Sequence, residues 1–124
     1  MLLDTDVLIW VLRGNTKAAR WVDHAEPRLI SAITYMELVQ GARNRQELRS
    51  IKSFLTDLRF EVVPLSENTG HRAAIYVEEY GLAEGLGVAD ALIAATAVER
   101  NLILCTGNRK HYKAIKDLEM KTFR

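Results

Sequence analysis

The sequence predicts a single α/β domain with a small, mainly parallel sheet. Short apolar segments alternate with longer segments of helical periodicity, which is typical of parallel strands connected by helices. One helical segment, residues 88–99, is apolar on nearly all sides and must therefore lie in a core. The chain has 124 residues, 48% of them hydrophobic, which suits one domain over residues 1–124 with a core of its own.

The first half of the chain begins with a short strand. Leu2-Leu3 is an apolar pair that ends at Asp4, and Gly14-Asn15 separates two helical segments. In order, we predict a strand at residues 2–3, helices at 7–12 and 16–24, a strand at 28–31, helices at 34–41 and 46–58, and a strand at 60–63.

In the second half, glycines mark the boundaries between the predicted elements. Gly81 is predicted to close a helix over residues 67–80, and Gly85-Leu86-Gly87 is predicted to form a flexible hinge. The remaining elements are the buried helix at residues 88–99, a strand at 102–105, a polar loop, and a last strand near 120–123.

Composition and charge restrict the partners and the compartment. The net charge is +1, so a nucleic-acid site would be a local patch on a surface that is not basic as a whole. Cys105, the single cysteine, lies in an apolar run and is interpreted as a small buried hydrophobe, not as a catalytic thiol. The apolar start is too short for a membrane helix and lacks the basic start of a signal peptide, so we expect a cytoplasmic protein without membrane contact.

Four polar residues far apart in the sequence are expected to converge at one edge of the sheet. Asp4 and Asn108 follow predicted strands, and Glu37 and Asp90 lie in the first turns of predicted helices. In a parallel sheet, ligands bind at the carboxyl ends of the strands. Three carboxylates held close together raise each other's pKa unless a cation compensates. A hard divalent ion, Mg²⁺ or Mn²⁺, is the natural compensation, and it would activate water for phosphodiester hydrolysis.

Each of these residues also has a purely structural interpretation. Glu37 could complete a capping box with Thr34, and Asp90 could favour the positive end of its helix dipole. Asp4 could cap the helix that follows it. Against this, a charge at Asp90 is costly in such apolar surroundings unless it has a partner. The residues by themselves leave a metal site and a set of structural roles as open alternatives.

Four sequence blocks resemble those of PIN-domain proteins, in the same order. The blocks are LLDTDVLI at residues 2–9, SAITYMEL at 31–38, ADALIAATA at 89–97 and LCTGNRKHY at 104–112. Together they span nearly the whole chain, and four ordered blocks are a far more specific signal than one. The resemblance implies a PIN-like three-layer α/β/α domain. The length and the segment ELVQG at residues 37–41 look most like VapC-type toxins of toxin–antitoxin pairs.

The resemblance implies catalytic and metal-binding roles for Asp4, Glu37 and Asp90. Asp4 and Asp90 would bind Mg²⁺ or Mn²⁺ directly, whereas Glu37 would bind through water or act as a base.

Three further residues would support that site: Asp6, Thr106 and Asn108. Asn108 stands where the family often has aspartate, which lowers the charge of the site. Asp6 stands where many relatives have Asn or Ser, and it could partly replace the missing acid. Thr106 would orient Asp4 or the attacking water by a hydrogen bond.

The same resemblance implies an endoribonuclease that acts on RNA as the toxin of a type II pair. Three cations follow Asn108 and would hold the RNA backbone over the metal: Arg109, Lys110 and Lys113. An ordinary solvated loop would explain these charges equally well. His111 is expected to pack or to contact phosphate, without acting as a general acid.

The resemblance also implies two protein partners, a cognate antitoxin and a second copy of the chain in a homodimer. The apolar stripe at residues 48–58 would help to form a groove for an antitoxin helix, with Trp10 or Trp21 as possible anchors. A stripe of this kind is more commonly part of the core, and that interpretation stays open.

Two other functions remain as alternatives. Asp4-Thr5-Asp6 after an apolar strand also resembles the opening of haloacid-dehalogenase-like phosphotransferases, in which Asp4 would be the nucleophile. That family expects Thr or Val at the position of Leu8 and a late pair of acids, and the segment after the late strand offers no such pair. The other alternative is a PIN-like fold kept only for binding, which the presence of both Asp4 and Asp90 disfavours.

Overall fold

Five parallel strands form the middle layer of the computed structural model, which describes residues 1–123. The strands are β1 (Leu2–Leu3), β2 (Leu29–Ser31), β3 (Glu61–Val63), β4 (Leu104–Thr106) and β5 (Met120–Thr122), arranged in the order β3-β2-β1-β4-β5. Every described pair of neighbouring strands is parallel, which confirms the α/β prediction. Arg124, the last residue of the predicted domain 1–124, lies outside the described residues.

Six helices cover the sheet within the described part of the chain. They are α1 (Thr5–Leu12), α2 (Thr16–His24), α3 (Ala32–Gln40), α4 (Arg45–Asp57), α5 (Glu67–Glu84) and α6 (Val88–Glu99), and a short 3₁₀ turn follows β4 at Arg109–His111. Over residues 1–123, none of these helices has the length and apolar character needed to cross a membrane.

Alternate residues of the central strands pack into two hydrophobic clusters on opposite faces of the sheet. Leu2 and Leu104 pack with residues of α5 and α6, whereas Leu3 and Cys105 pack with residues of α1, α2 and α4. Successive side chains of a strand point to opposite faces, so the two residues of β1 join both clusters. This arrangement is the predicted three-layer α/β/α domain.

The interior position of Cys105 confirms its interpretation as a buried hydrophobe. The residue is fully buried, and burial raises the pKa of its thiol to about 12. A thiol of this kind is protonated at neutral pH and is a poor nucleophile.

The apolar stripe of α4 packs mainly into the core. Leu55 is buried in the cluster that contains Leu3, and three partly buried neighbours pack against the same cluster: Ile51, Phe54 and Leu58. Trp10 and Trp21 also pack, partly buried, against this cluster. For most of its length the stripe is therefore part of the core, which is the commoner role of such a stripe.

Helix α5 is longer than predicted, and Gly81 does not close it. The helix ends at Gly85, which adopts a left-handed conformation with φ of +70°. The N–H of Gly85 donates to the carbonyl of Gly81 at 3.1 Å, and the N–H of Leu86 donates to the carbonyl of Tyr80 at 3.3 Å. Leu86 is buried and Gly87 is the N-cap of α6, so residues 85–87 form a fixed connection where we predicted a flexible hinge.

Candidate active site

Asp4 lies at the carboxyl end of β1, the central strand of the sheet. Its backbone N–H donates to the carbonyl of Cys105 at 2.9 Å, which extends the pairing of β1 with β4. Its Oδ1 accepts a hydrogen bond from the backbone N–H of Thr5 at 2.8 Å, so Asp4 is the N-cap of α1. Helix α1 therefore begins two residues earlier than predicted, because Asp4 itself caps it.

Two hydroxyl groups contact the other carboxylate oxygen of Asp4. The Oγ1 of Thr106 donates to Oδ2 at 2.8 Å, which is the orienting contact predicted for this residue, and the Oη of Tyr112 donates at 2.9 Å. The same Tyr112 hydroxyl lies 3.2 Å from Oδ1 of Asp90. The carboxylates of Asp4 and Asp90 therefore lie within two hydrogen-bond lengths of each other, on either side of one shared hydroxyl.

The contacts of the Tyr112 hydroxyl with Asp4 and Asp90 indicate that an additional positive charge is needed there. The Tyr112 hydroxyl has one proton but faces two carboxylate oxygens, so one contact lacks a hydrogen when both acids are ionised. Burial, and secondly the charge of Asp6, raise the pKa of Asp4 to about 7, although three hydrogen bonds act to lower it. A proton or a metal cation is what this pair requires at neutral pH.

Asp90 is held by the loop that follows β4. It lies in the first turn of α6, and its Oδ2 is 3.1 Å from Nδ1 of His111. The Nε2 of His111 is in turn 3.1 Å from the amide nitrogen of Asn108. An amide nitrogen can only donate, so Nε2 accepts and the ring proton on Nδ1 faces Asp90. Asn108 therefore reaches the acidic pair through His111, without contacting a carboxylate itself.

Glu37 joins the site through Thr5. Its Oε1 accepts from the hydroxyl of Thr5 at 2.7 Å, and that hydroxyl also lies 2.9 Å from Oγ1 of Thr34. Helix α3 begins at Ala32, and its N-cap is Ser31, whose hydroxyl accepts from the backbone N–H of Thr34 at 3.0 Å. Glu37 therefore lies in the second turn, so the predicted first-turn position is wrong, and the alternative in which Glu37 completes a capping box with Thr34 is excluded.

Asp6 holds the loop after β4 in place by a hydrogen bond to its backbone. Its Oδ2 accepts from the backbone N–H of Gly107 at 2.9 Å. A Cβ atom at Gly107 would lie 2.8 Å from that oxygen and would also overlap the ring of Phe123. Asp6 thus anchors the loop that carries Asn108, and its charge adds to the raised pKa of Asp4.

The predicted RNA-binding cations belong to the segment after β4 that also contains His111 and Tyr112. Arg109 and Lys110 belong to the 3₁₀ turn, Lys113 follows it, and all three side chains are exposed. Since their sequence neighbours contact the acidic pair, these cations are compatible with contact to a polyanion.

The donor set fits Mg²⁺ or Mn²⁺. Over residues 1–123, no three His, Cys, Asp or Glu side chains come close enough for one ion to bind all of them directly. Mg²⁺ is usually held by one or two carboxylates and keeps several of its waters, so the pair Asp4 and Asp90 is sufficient. Glu37 is exposed and accepts a hydrogen bond from the hydroxyl of Thr5, so it is suited to contact the metal ion through a water molecule.

Three residues contact the acids in ways that the sequence did not predict: Thr5, His111 and Tyr112. His111 was expected to pack or to contact phosphate, and it contacts Asp90. All three lie within blocks that resemble the family, which was the available signal. The sequence offered no sign that the Tyr112 hydroxyl would face Asp4, which is 108 positions away.

Metal-free protein should lose stability as the pH rises through about 7, the pKa of Asp4. That value lies above the ordinary value of 3.8, so the folded state binds the proton more tightly and is favoured at low pH. Mg²⁺ should replace the proton, and it should therefore raise the Tm more at about pH 8 than at about pH 5. Thermal unfolding with and without Mg²⁺ checks this; equal shifts at both pH values would contradict binding at Asp4.

Comparison with known proteins agrees with the four sequence blocks. Residues 1–117 match the model of the PIN domain. Ribonuclease VapC10 of Mycobacterium tuberculosis is 35% identical over 96% of this chain and 90% of its own length. Ribonuclease VapC1 of Rickettsia felis is 32% identical over 98% of this chain and 95% of its own length. A toxin–antitoxin complex from Klebsiella pneumoniae contains a chain that superposes with a TM-score of 0.82 at 29% identity, covering 99% of this chain and 97% of that chain. The chain described here belongs to the PIN-domain family, with relatives named as VapC ribonucleases.

Proposed function

We propose that the chain is a Mg²⁺- or Mn²⁺-dependent endoribonuclease that acts in the cytoplasm as the toxin of a type II toxin–antitoxin pair. The observation that carries this proposal is the pair of carboxylates, Asp4 and Asp90, that share one buried hydroxyl at the carboxyl edge of the sheet. Relatives named as VapC ribonucleases support the same activity.

Each residue of the site has a role in such a reaction. When bound, a divalent ion lowers the pKa of a water molecule and offsets negative charge on the phosphoryl group. Asp4 and Asp90 would hold the ion, and Thr106 keeps one oxygen of Asp4 in place. The exposed carboxylate of Glu37 would orient a water molecule or accept its proton.

The three exposed cations of the loop would bind the phosphate backbone on either side of the scissile bond: Arg109, Lys110 and Lys113. Phosphate contacts fix the position of a nucleic acid and carry no sequence information themselves. These residues therefore explain affinity for RNA but do not determine which RNA is cut.

The geometry argues against the phosphotransferase alternative. That alternative needs a late pair of acids, but residues 107–113 after β4 contain none, and it is His111 that contacts Asp90 from this segment. A fold kept only for binding would have no need to place the charge of Asp90 beside a second buried acid.

Incubation of the purified protein with total cellular RNA tests the proposed activity. We expect cleavage at a small number of defined sites, which sequencing of the new RNA ends would map. Hydrolysis of a small phosphomonoester with the RNA left intact would favour the phosphotransferase instead. If neither substrate were cut, the binding-only alternative would take precedence.

A groove between α1, α3 and α4 is the proposed binding surface for the antitoxin. Its apolar lining consists of four side chains: Ile9, Leu12, Leu38 and Ile51. Ile51 is the member of the predicted α4 stripe that reaches this groove, and Glu37 lies at its edge. An apolar helix face or extended segment of an antitoxin would fill it, as in helix-in-groove recognition.

We expect Leu12→Glu to abolish binding of the antitoxin while RNA cleavage persists. Leu12 lines the groove and is 44% exposed, so a charge there should disrupt the contact without unfolding the core. Leu65→Glu is the matched control, because Leu65 is similarly exposed, at 40%, and lies outside the groove lining. Co-purification with the cognate antitoxin measures the binding of both variants. If both variants bound the antitoxin equally well, the assignment of this groove would be contradicted.

We also propose that the chain forms a homodimer. The exposed apolar side chains of Ile75 and Leu82 lie seven positions apart on α5, on one face of that helix, and offer a surface for association. Light scattering should give twice the mass of the chain, and a monomer at all practical concentrations would contradict the proposal.

A further inference from the structure

We infer that Tyr112 is a positioning residue, whose buried hydroxyl sets the separation and orientation of Asp4 and Asp90 for a divalent cation. The inference deepens the proposed function and rests on it. Neither acid is held by the hydroxyl alone, but Tyr112 is the side chain that contacts both of them in the described structure.

The ring of Tyr112 is fixed by its packing. The residue is completely buried and belongs to the hydrophobic cluster that contains Leu2, two residues before Asp4, and Ala91, which follows Asp90. Side chains in a close-packed core keep a single orientation, so the position of the hydroxyl is determined by the fold. Because the ring is inaccessible, Tyr112 does not contact RNA and acts only through the acids.

Asp90 depends on this contact more than Asp4 does. Asp4 accepts hydrogen bonds from three donors, whereas Asp90 is contacted by Tyr112 and by His111. The His111 side chain is 55% exposed, so its contact is open to water. Removal of the Tyr112 hydroxyl should leave Asp90, whose side chain is 29% exposed, free to turn towards solvent.

Tyr112→Phe removes the hydroxyl and keeps the ring, and Tyr76→Phe is the matched control. Tyr76 is 5% exposed, lies in the same cluster, and donates its hydroxyl to the carboxylate of Asp117 at 3.0 Å. Both variants therefore delete one hydroxyl bound to a carboxylate from a buried tyrosine. They differ in whether that carboxylate belongs to the acidic pair.

Direct titration with Mn²⁺, followed by the electron paramagnetic resonance signal of the free ion, measures affinity without any RNA. We expect Tyr112→Phe to weaken Mn²⁺ binding about 10- to 100-fold, as loss of a contact to a ligand commonly does. Tyr76→Phe should bind as the unchanged protein does, although both variants should lower the Tm by similar amounts. Unchanged or tighter binding in Tyr112→Phe would overturn the inference and leave the proposed metal site standing.

An unchanged protein that binds no Mn²⁺ would overturn both the inference and the metal dependence proposed above. Should Tyr112→Phe fail to fold, a crystal structure of the unchanged protein with Mn²⁺ bound decides the question. We expect the Tyr112 hydroxyl to keep its contacts with Asp4 and Asp90 when the cation is present. Loss of both contacts in the Mn²⁺-bound protein would overturn the inference.

Discussion

Asp90→Asn should lower RNA cleavage by at least about a hundredfold and weaken metal binding, with the fold preserved. The substitution removes one of the two charges that would hold the cation and changes the side-chain volume very little. An amide oxygen can still accept from Tyr112, and its nitrogen can face His111 once that ring has changed tautomer. Loss of activity would therefore report the missing charge, not a rearranged site.

Glu67→Gln is the matched control for this experiment. Glu67 is the acid in the first turn of α5, as Asp90 is in α6, but it is exposed and outside the site. If Asp90 served only the helix dipole, both variants would lose about 0.3–1 kcal/mol of stability and keep full activity. Cleavage rates and thermal unfolding of the two variants separate these outcomes.

Gly107→Ala should lower the free energy of unfolding by about 2–3 kcal/mol. The new methyl group would overlap the ring of Phe123 and approach Oδ2 of Asp6 to 2.8 Å. Relief of this overlap requires the loop to move, which would break the hydrogen bond between Asp6 and the Gly107 N–H. Because Gly107 directly follows Thr106, which contacts Asp4, RNA cleavage should fall in the same variant.

Gly70→Ala should raise the free energy of unfolding, in contrast to Gly107→Ala. Gly70 lies inside α5, and nothing lies within 4 Å of the position of its added Cβ. Alanine should therefore stabilise the protein by roughly 0.5–1 kcal/mol, because glycine is the poorer helix former. Denaturant unfolding measures both variants, and a Gly107→Ala protein as stable as the unchanged one would contradict the tight packing of this loop.

The sequence predicted the order of strands and helices because a buried parallel strand is a short apolar run with polar ends. Leu2-Leu3 before Asp4 is such a run, and the segment of α6, apolar on nearly all sides, is typical of a core helix. Helix boundaries were less predictable where two suitable residues compete. Ser31 and Thr34 both carry hydroxyls that can cap α3, and Gly81 and Gly85 can both end α5, so only the fold selects between them.

The convergence of Asp4, Glu37 and Asp90 was predictable because parallel strands bring their carboxyl ends to one edge. The connections between them were not, because each depends on the orientation of a single hydroxyl. The Tyr112 hydroxyl is placed by packing of its ring across the core, and the Thr5 hydroxyl by the rotation of α1. A local sequence pattern carries no information about either.

The proposed dependence of RNA cleavage on a metal can be measured with metal-stripped protein. Protein treated with EDTA and then freed of the chelator should leave total RNA intact, and addition of Mg²⁺ or Mn²⁺ should restore cleavage at the same sites. The expected dependence follows from the proposed site, in which the adjacent acids Asp4 and Asp90 would hold the cation. Cleavage that persists in EDTA at an undiminished rate would contradict the account.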